Sequence, residues 1–230
     1  MIIAAATKCL SVLRGLVVSV RCFGIKDGMK IPLYIAPHVR LRNITKKTLR
    51  IEASELRRGM ICIGVDNGPD GLLLSRATTF FGTDGASLIV FHGGFNFSRG
   101  CCVKATEGGR IDFGDGGYCN TGTSFFCSSG ISIGNGLLTG WNCTIKDNDG
   151  HQMMDEASGK AFPERVNINI GEHVWLGAHS SVLKGSDIPN GCVVGWGSLV
   201  TQDSTRSAQA ADVLAGTPAR VIKSGVRWNY

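Results

Sequence analysis

The sequence predicts an all-β chain wound as a solenoid of short parallel strands, and three observations carry that prediction. Six aliphatic residues recur at steps of six: Ile170, Leu176, Val182, Ile188, Val194 and Val200. No helix has that period and a single strand alternates every two residues, so the repeat marks stacked coils. Glycine often follows the aliphatic residue (Gly171, Gly177, Gly195), and a small or β-branched residue stands four places after it (Val174, Ser180, Ser186, Cys192, Ser198). The 32 glycines of this 230-residue chain also gather from Gly82 onward, where the repeat lies. Six residues build one side of a triangle and three sides close a turn. The aliphatic residue fills the interior, the small one fits near the corner, and glycine tolerates the bend.

Residues 2–22 read as one amphipathic helix. Ile3, Ala6, Leu10, Leu13, Val17 and Val20 form an apolar stripe at alternating steps of three and four. Lys8, Arg14 and Arg21 interrupt it, which argues against a transmembrane span or a signal peptide. The stripe is expected to pack on the chain itself or on a sister subunit. The alternative is an interfacial helix at a membrane, helped by Arg40, Arg42, Lys46, Lys47 and Arg50. Residues 1–58 hold twelve Lys and Arg against three Asp and Glu, so the whole positive balance belongs to the front. That front has neither interleaved aromatics nor a binding motif, so nucleic acid is not an expected partner.

Short extended runs follow at Ile31–Ile35, Val39–Ile44 and Thr48–Ile51. Glycine-punctuated strands begin at Leu88, and the six-step ladder runs through Phe113, Cys119, Phe125 and Ile131. It slips by two and resumes at Ile133, Thr139 and Ile145. Residues 146–168 then leave the register as a polar excursion, and the coil returns at Ile170 for two full turns. The expected organisation is an N-terminal helix and basic extended segment over 1–50, a β-helix over 51–205, and a tail over 206–230. The nine cysteines are odd in number and lack a Cys-x-x-Cys pair. Buried reduced thiols in a cytoplasmic protein, with the inner membrane face as the alternative that the basic front suggests, are expected rather than disulfides or zinc.

A flat-faced solenoid needs a loop or a neighbour to make a site. The excursion contains one histidine, in Asp147-Asn148-Asp149-Gly150-His151. Histidine suits proton removal near neutral pH, and Asp147 or Asp149 is expected to orient its ring. Trp141 is a candidate platform for a sugar ring, or a surface residue covered by a neighbouring subunit. His173 and His179, six apart, would stack on successive coils and with His151 suggest a metal-site alternative. His38 and His92 are expected to serve packing or surface roles.

Three motifs in order give a resemblance: Trp-Asn-Cys-Thr-Ile-Lys-Asp-Asn-Asp-Gly-His at 141–151, Gly-Glu-His-Val-Trp-Leu-Gly-Ala at 171–178, and Ala-Gly-Thr-Pro-Ala-Arg-Val-Ile-Lys at 215–223. Over residues 88–223 the chain resembles the hexapeptide-repeat acyltransferases, and within them the sugar O-acetyltransferases of galactoside, nodulation and capsule or colanic-acid type. The resemblance implies a left-handed parallel β-helix, a homotrimer with sites between subunits, acetyl-CoA as co-substrate with no tightly bound cofactor or metal, and a saccharide hydroxyl as acceptor. It implies that His151 is the base and that Asn120 contacts the acceptor. Trp141 and Asp149 are expected beside the acceptor. By the same resemblance Trp175, Gly177, Ala178, Gly195, Trp196 and Thr201 border the CoA arm, with the Ala178 N–H facing the thioester carbonyl. Pro218, Ala219, Arg220 and Lys223 would lie near the adenine and its phosphates. Gly195-Trp196-Gly197 stands where the family has Gly-Ala-Gly, so an indole lines or narrows the groove. Gln152 follows the histidine where galactoside-type enzymes have proline, which weakens the case for a small free sugar. The remaining alternatives are an amino-sugar N-acetyltransferase, a γ-carbonic-anhydrase-like metal enzyme and a non-catalytic trimeric scaffold.

Overall fold

The computed structural model describes residues 2–65 and 78–229, with side chains from Cys9 onward. Three parallel sheets form the three faces of a prism. The first face stacks Leu33–Ile35, Ile61–Ile63, Phe95–Phe97, Gly117–Cys119, Leu138–Thr139, Trp175–Leu176, Val193–Val194 and Val213–Gly216, and Ala219–Lys223 closes it antiparallel. The second face runs from Arg40–Arg42 to Leu199–Val200 and the third from Leu49–Ile51 to Asp187–Ile188. Apart from that closing hairpin, each strand pairs with the one a full turn later, so the coil ladders are non-local and in parallel register.

The slip in the sequence ladder has a plain cause. A strand such as Gly130–Ile133 turns both Ile131 and Ile133 into the core, so the ladder passes from one inward position to the next on the same side. The turn that contains the slip is therefore longer. Cys119 pairs with Thr139, twenty residues on, whereas Leu176 pairs with Val194, eighteen residues on. The longer turns hold the larger side chains. Phe81, Phe91, Phe95, Phe97, Phe113 and Phe125 fill the early coils, with neighbouring ring centroids 4.8–6.3 Å apart. The large core side chains of the eighteen-residue turns are Leu, Val and Ile, with Cys192 and small residues at the corners. Gly117 belongs to the same packing, because a Cβ there would lie 2.1 Å from the Phe95 ring.

The stack begins at Leu33, inside the segment expected to precede it. Leu33 pairs with Ile61, twenty-eight residues later, and this long first turn hides the six-residue period. One helix, α1 (Ile2–Gly28), caps that end and is broken at Gly24, whose φ of 79° leaves the helical region.

Of the expected placements, packing of the α1 stripe on its own coil is not what the structure shows. Ser11, Gly15, Ser19 and Cys22 face the coil, while Leu10, Leu13 and Val17 are 52%, 58% and 62% exposed. The reason is distance. A Cβ at Gly15 would lie 1.9 Å from the Leu33 carbonyl oxygen, so only a small-residue face can approach the free edge of the first strand. Arg14 pins the helix by donating to the carbonyls of Ala36 (2.9 Å), Pro37 (2.8 Å) and Val39 (2.7 Å) at the corner that follows the first strand. Cys22 is on the packed side of the helix, and burial pushes its thiol up to about 11.

Candidate active site

The residue before each ladder residue on the first face points outward. Asn96, Tyr118, Leu138, Trp175 and Val193 stand in register across five coils and make the floor of a cavity of about 1210 Å³. One wall is the corner between the first and second faces, where Asn120, Gly140-Trp141, Gly177-Ala178 and Gly195-Trp196 stack. Arg57, Arg58, Met60 and Asp115 border the end nearest the N-terminus. The cavity is thus apolar at Val193, Trp175 and Leu138 and polar from Tyr118 to the two arginines.

The corner repeats one local motif, glycine followed by a residue whose backbone N–H has left the sheet ladder. The N–H groups of Trp141, Ala178 and Trp196 meet no acceptor among the described residues. Ala178 is the buried member of the three, at 5% exposed. Glycine precedes it in space for steric reasons, since a Cβ at Gly140 would lie 2.5 Å from the Ala178 nitrogen. The small Ala178 side chain also lets Trp141 and Trp196, two coils apart, meet edge to face at 6.4 Å. The indole of Trp196 therefore borders the groove rather than plugging it, with His179 on its other side at 5.1 Å. The Trp141 Nε1 is buried without a hydrogen-bond partner among the described residues.

Asn120 is buried at the polar side of this wall, and its Oδ1 accepts the Thr121 N–H at 2.9 Å. Beside it, Ser98 donates to the Tyr118 hydroxyl at 2.9 Å.

His151 lies elsewhere. The excursion is an antiparallel ribbon, tied by Asn148 with Arg165 and by Met154 with Ala161. His151 is exposed on it, after the second-face strand Thr144–Lys146. Asn120 precedes the adjoining strand Ser124–Cys127, so the two residues sit at opposite ends of the second face. At about 3.3 Å per residue the intervening strand alone separates them by ~13 Å.

The acidic neighbours do not orient the histidine ring. Asp147 is fully buried and accepts the Ser128 and Ser129 N–H groups, both at 2.8 Å. Asp149 is ion-paired with Lys184. These carboxylates anchor the ribbon. Met153, Met154 and Phe162 of the ribbon are exposed, an apolar group left uncovered by the described residues.

The other expected donor-site residues lie beyond the cavity. Thr201 caps the short helix Gln202–Thr205, its hydroxyl accepting from the Ser204 N–H and its N–H donating to the Ser204 hydroxyl. Pro218 turns the chain between the final two strands, Ala219 is buried beneath it, and Arg220 and Lys223 are exposed on the last strand. His173 and His179 sit at the two ends of the strand Trp175–Leu176, not on successive coils, because six residues cover one side rather than one turn. No three metal-ligating side chains converge among the described residues. His173 is instead stacked flat on Trp228 at 3.9 Å. Its Nε2 donates to the Trp228 carbonyl at 3.0 Å, and the Trp228 Nε1 donates to the His173 carbonyl at 3.1 Å.

Arg57, Arg58, Asn96 and Tyr118 were missed by sequence reasoning. The floor was readable, as the position before each ladder residue. The arginines lie in a turn outside the ladder, and no spacing marks them.

No protein-family model matches the chain. It is 35% identical over 118 residues to a galactoside O-acetyltransferase of Lactococcus lactis, covering 51% of this chain and 55% of the relative. It thus spans little more than half the length of the galactoside relatives. It is 31% identical over 140 residues to the putative lipopolysaccharide biosynthesis O-acetyl transferase WbbJ of Escherichia coli, covering 56% of this chain and 69% of the relative. Among solved structures it is similar to the polySia-specific acetyltransferase NeuO, with a TM-score of 0.62 and 18% identity over 86% of this chain and 79% of that one.

Proposed function

The chain belongs to the hexapeptide-repeat sugar O-acetyltransferases, left-handed parallel β-helix proteins, and from that premise we propose that it moves an acetyl group from acetyl-CoA to a saccharide hydroxyl in the first-face cavity. The observation that carries this reading is the buried, unpaired Ala178 N–H between two indoles, beside Asn120 in one groove.

In this reading the pantetheine arm lies on Val193, Trp175 and Leu138, and the thioester carbonyl accepts from Ala178. The acceptor occupies the polar half, its hydroxyl near Asn120 and Tyr118 and its far end toward Arg57 and Arg58. The acceptor oxygen attacks the acyl carbon, His151 takes the hydroxyl proton, and the tetrahedral oxyanion is held by the Ala178 N–H. The C–S bond then breaks, and the proton passes from His151 to the CoA sulfur. Both substrates are held together, so no covalent enzyme intermediate is needed.

His151 and Asn120 of one chain cannot meet over one hydroxyl, so each site takes His151 from one copy and Asn120 from another. The exposed Met153, Met154 and Phe162 of the ribbon suit burial against that second copy, and a homotrimer closes the arrangement. Free thiols at all nine cysteines fit a reducing, cytoplasmic setting.

The test uses two inactive variants. His151→Ala should lower CoA release from acetyl-CoA by about 10²–10⁴-fold with a saccharide acceptor panel, amino sugars included. Asn120→Ala should be inactive as well. Random trimers reassembled from the two should regain about one quarter of wild-type turnover, the fraction of sites with both residues intact. A His151→Ala protein with near-full turnover would sink the base assignment, and a mixture with no recovery would sink the shared site.

A further inference from the structure

We propose that the N-terminal end of the solenoid docks on an anionic lipid surface through the outward face of α1. This rests on the fold alone and not on the chemistry assigned above.

The helix is amphipathic in an inverted sense. Its tightly packed side is Ser11, Gly15, Ser19 and Cys22, and its aliphatic stripe of Leu10, Leu13 and Val17 is exposed. Past the break at Gly24, Ile25 and Met29 are exposed as well. Ordinary amphipathic helices bury the stripe against their own protein, and one that presents it outward has reserved it for another apolar phase. α1 lies over the free edge of the first coil, fixed by the Gly15 approach to Leu33 and by the three Arg14 hydrogen bonds. The stripe therefore faces away from the coil, at the end of the prism.

Cations surround it. Arg21, Lys26 and Lys30 are exposed on and just after the helix, and Arg40, Arg42, Lys46, Lys47 and Arg50 are exposed around the first coil directly beneath. Asp27 is the sole acidic residue before Glu52, and Lys30 pairs with it. A basic collar around an apolar stripe matches the headgroup and acyl boundary of an anionic bilayer. A two-fold pairing of two such ends would set collar against collar. No helix among the described residues is long and apolar enough to cross a membrane, so α1 would lie in the interface plane.

The test is co-sedimentation of the full chain with phosphatidylcholine vesicles, with and without phosphatidylglycerol. The expected result is binding to the anionic vesicles only, weakened at least ~10-fold in a Leu13→Asp/Val17→Asp double variant and by raised salt. A Lys46→Glu/Lys47→Glu variant, outside the helix, should weaken binding comparably while leaving α1 untouched. Sedimentation in solution should give the same oligomer for all three proteins, and turnover on a soluble acceptor should be unchanged. Absence of vesicle binding by the wild-type chain would overturn the proposal. So would a smaller oligomer in the Leu13→Asp/Val17→Asp protein, which would identify the stripe as an interface between copies.

Discussion

Gly140→Ala is a sharp probe of the proposed oxyanion donor. The added methyl carbon would lie 2.5 Å from the Ala178 nitrogen, 2.8 Å from its Cα and 3.0 Å from its Cβ. Ordinary van der Waals separation is about 3.4 Å or more, so the Ala178 corner must retreat by close to ~1 Å. Overpacking of this kind costs about 1–3 kcal/mol, a fall in Tm of a few degrees for a chain of this size. An oxyanion donor contributes about 10²–10³-fold to kcat, and a shift near 1 Å removes much of that. A matched control exists one side earlier in the same coil. A Cβ at Gly134 would lie 2.7 Å from the Glu172 nitrogen, so Gly134→Ala strains the same pair of coils at the other end of the strand Leu138–Thr139. Thermal melts and CoA release should be measured for both. Both variants should lose comparable Tm, and only Gly140→Ala should lose kcat by more than ~30-fold. If the two lose Tm alike and Gly140→Ala keeps kcat within a few-fold, Ala178 is not the donor.

Three further outcomes are expected. Asp147→Asn replaces a buried carboxylate that accepts two N–H groups, which should cost about 1–3 kcal/mol locally and speed tryptic cleavage at Lys160 and Arg165 while the coil stays intact. Arg57→Ala with Arg58→Ala should raise the acceptor KM about 10-fold with kcat little changed, if the acceptor is anionic at its far end, and leave the KM for acetyl-CoA alone. Trp228→Ala removes a flat stack and two hydrogen bonds from the C-terminal tail, so amide exchange should accelerate at Val226, whose N–H donates to Ala211 at 2.9 Å, and not in the coils.

The regular coils were legible in the sequence because one residue in six faces a shared interior, and Ile170 to Val200 repeat that choice without interruption. The same ladder indicated the corner that holds Ala178. The direction of α1 was not legible. A helical period shows that two faces differ, and a Ser, Gly and Cys face reads as the weaker candidate for burial until the carbonyl of Leu33 leaves room for nothing larger. The start of the stack was hidden by its twenty-eight-residue first turn. Trp228 gave no signal because its partner, His173, is fifty-five residues away and the tail has no period. Asp147 read as a partner for His151 from proximity in sequence, while the backbone turn sends its carboxylate inward to the Ser128 and Ser129 amides.

The ribbon that carries His151 enters and leaves the coil at one corner, and the ladders on either side of it close as though it were absent. Thr144, Ile145 and Lys146 still pair with Ser181, Val182 and Leu183. Changes in its length or composition therefore leave the strand register, and with it the Trp141, Ala178 and Trp196 corner, where they were. In evolutionary terms the proposed donor half and the proposed proton-accepting arm are separable cassettes. On the proposed roles, such a fold can acquire a new acceptor by exchanging one hairpin while the first-face groove is inherited unaltered.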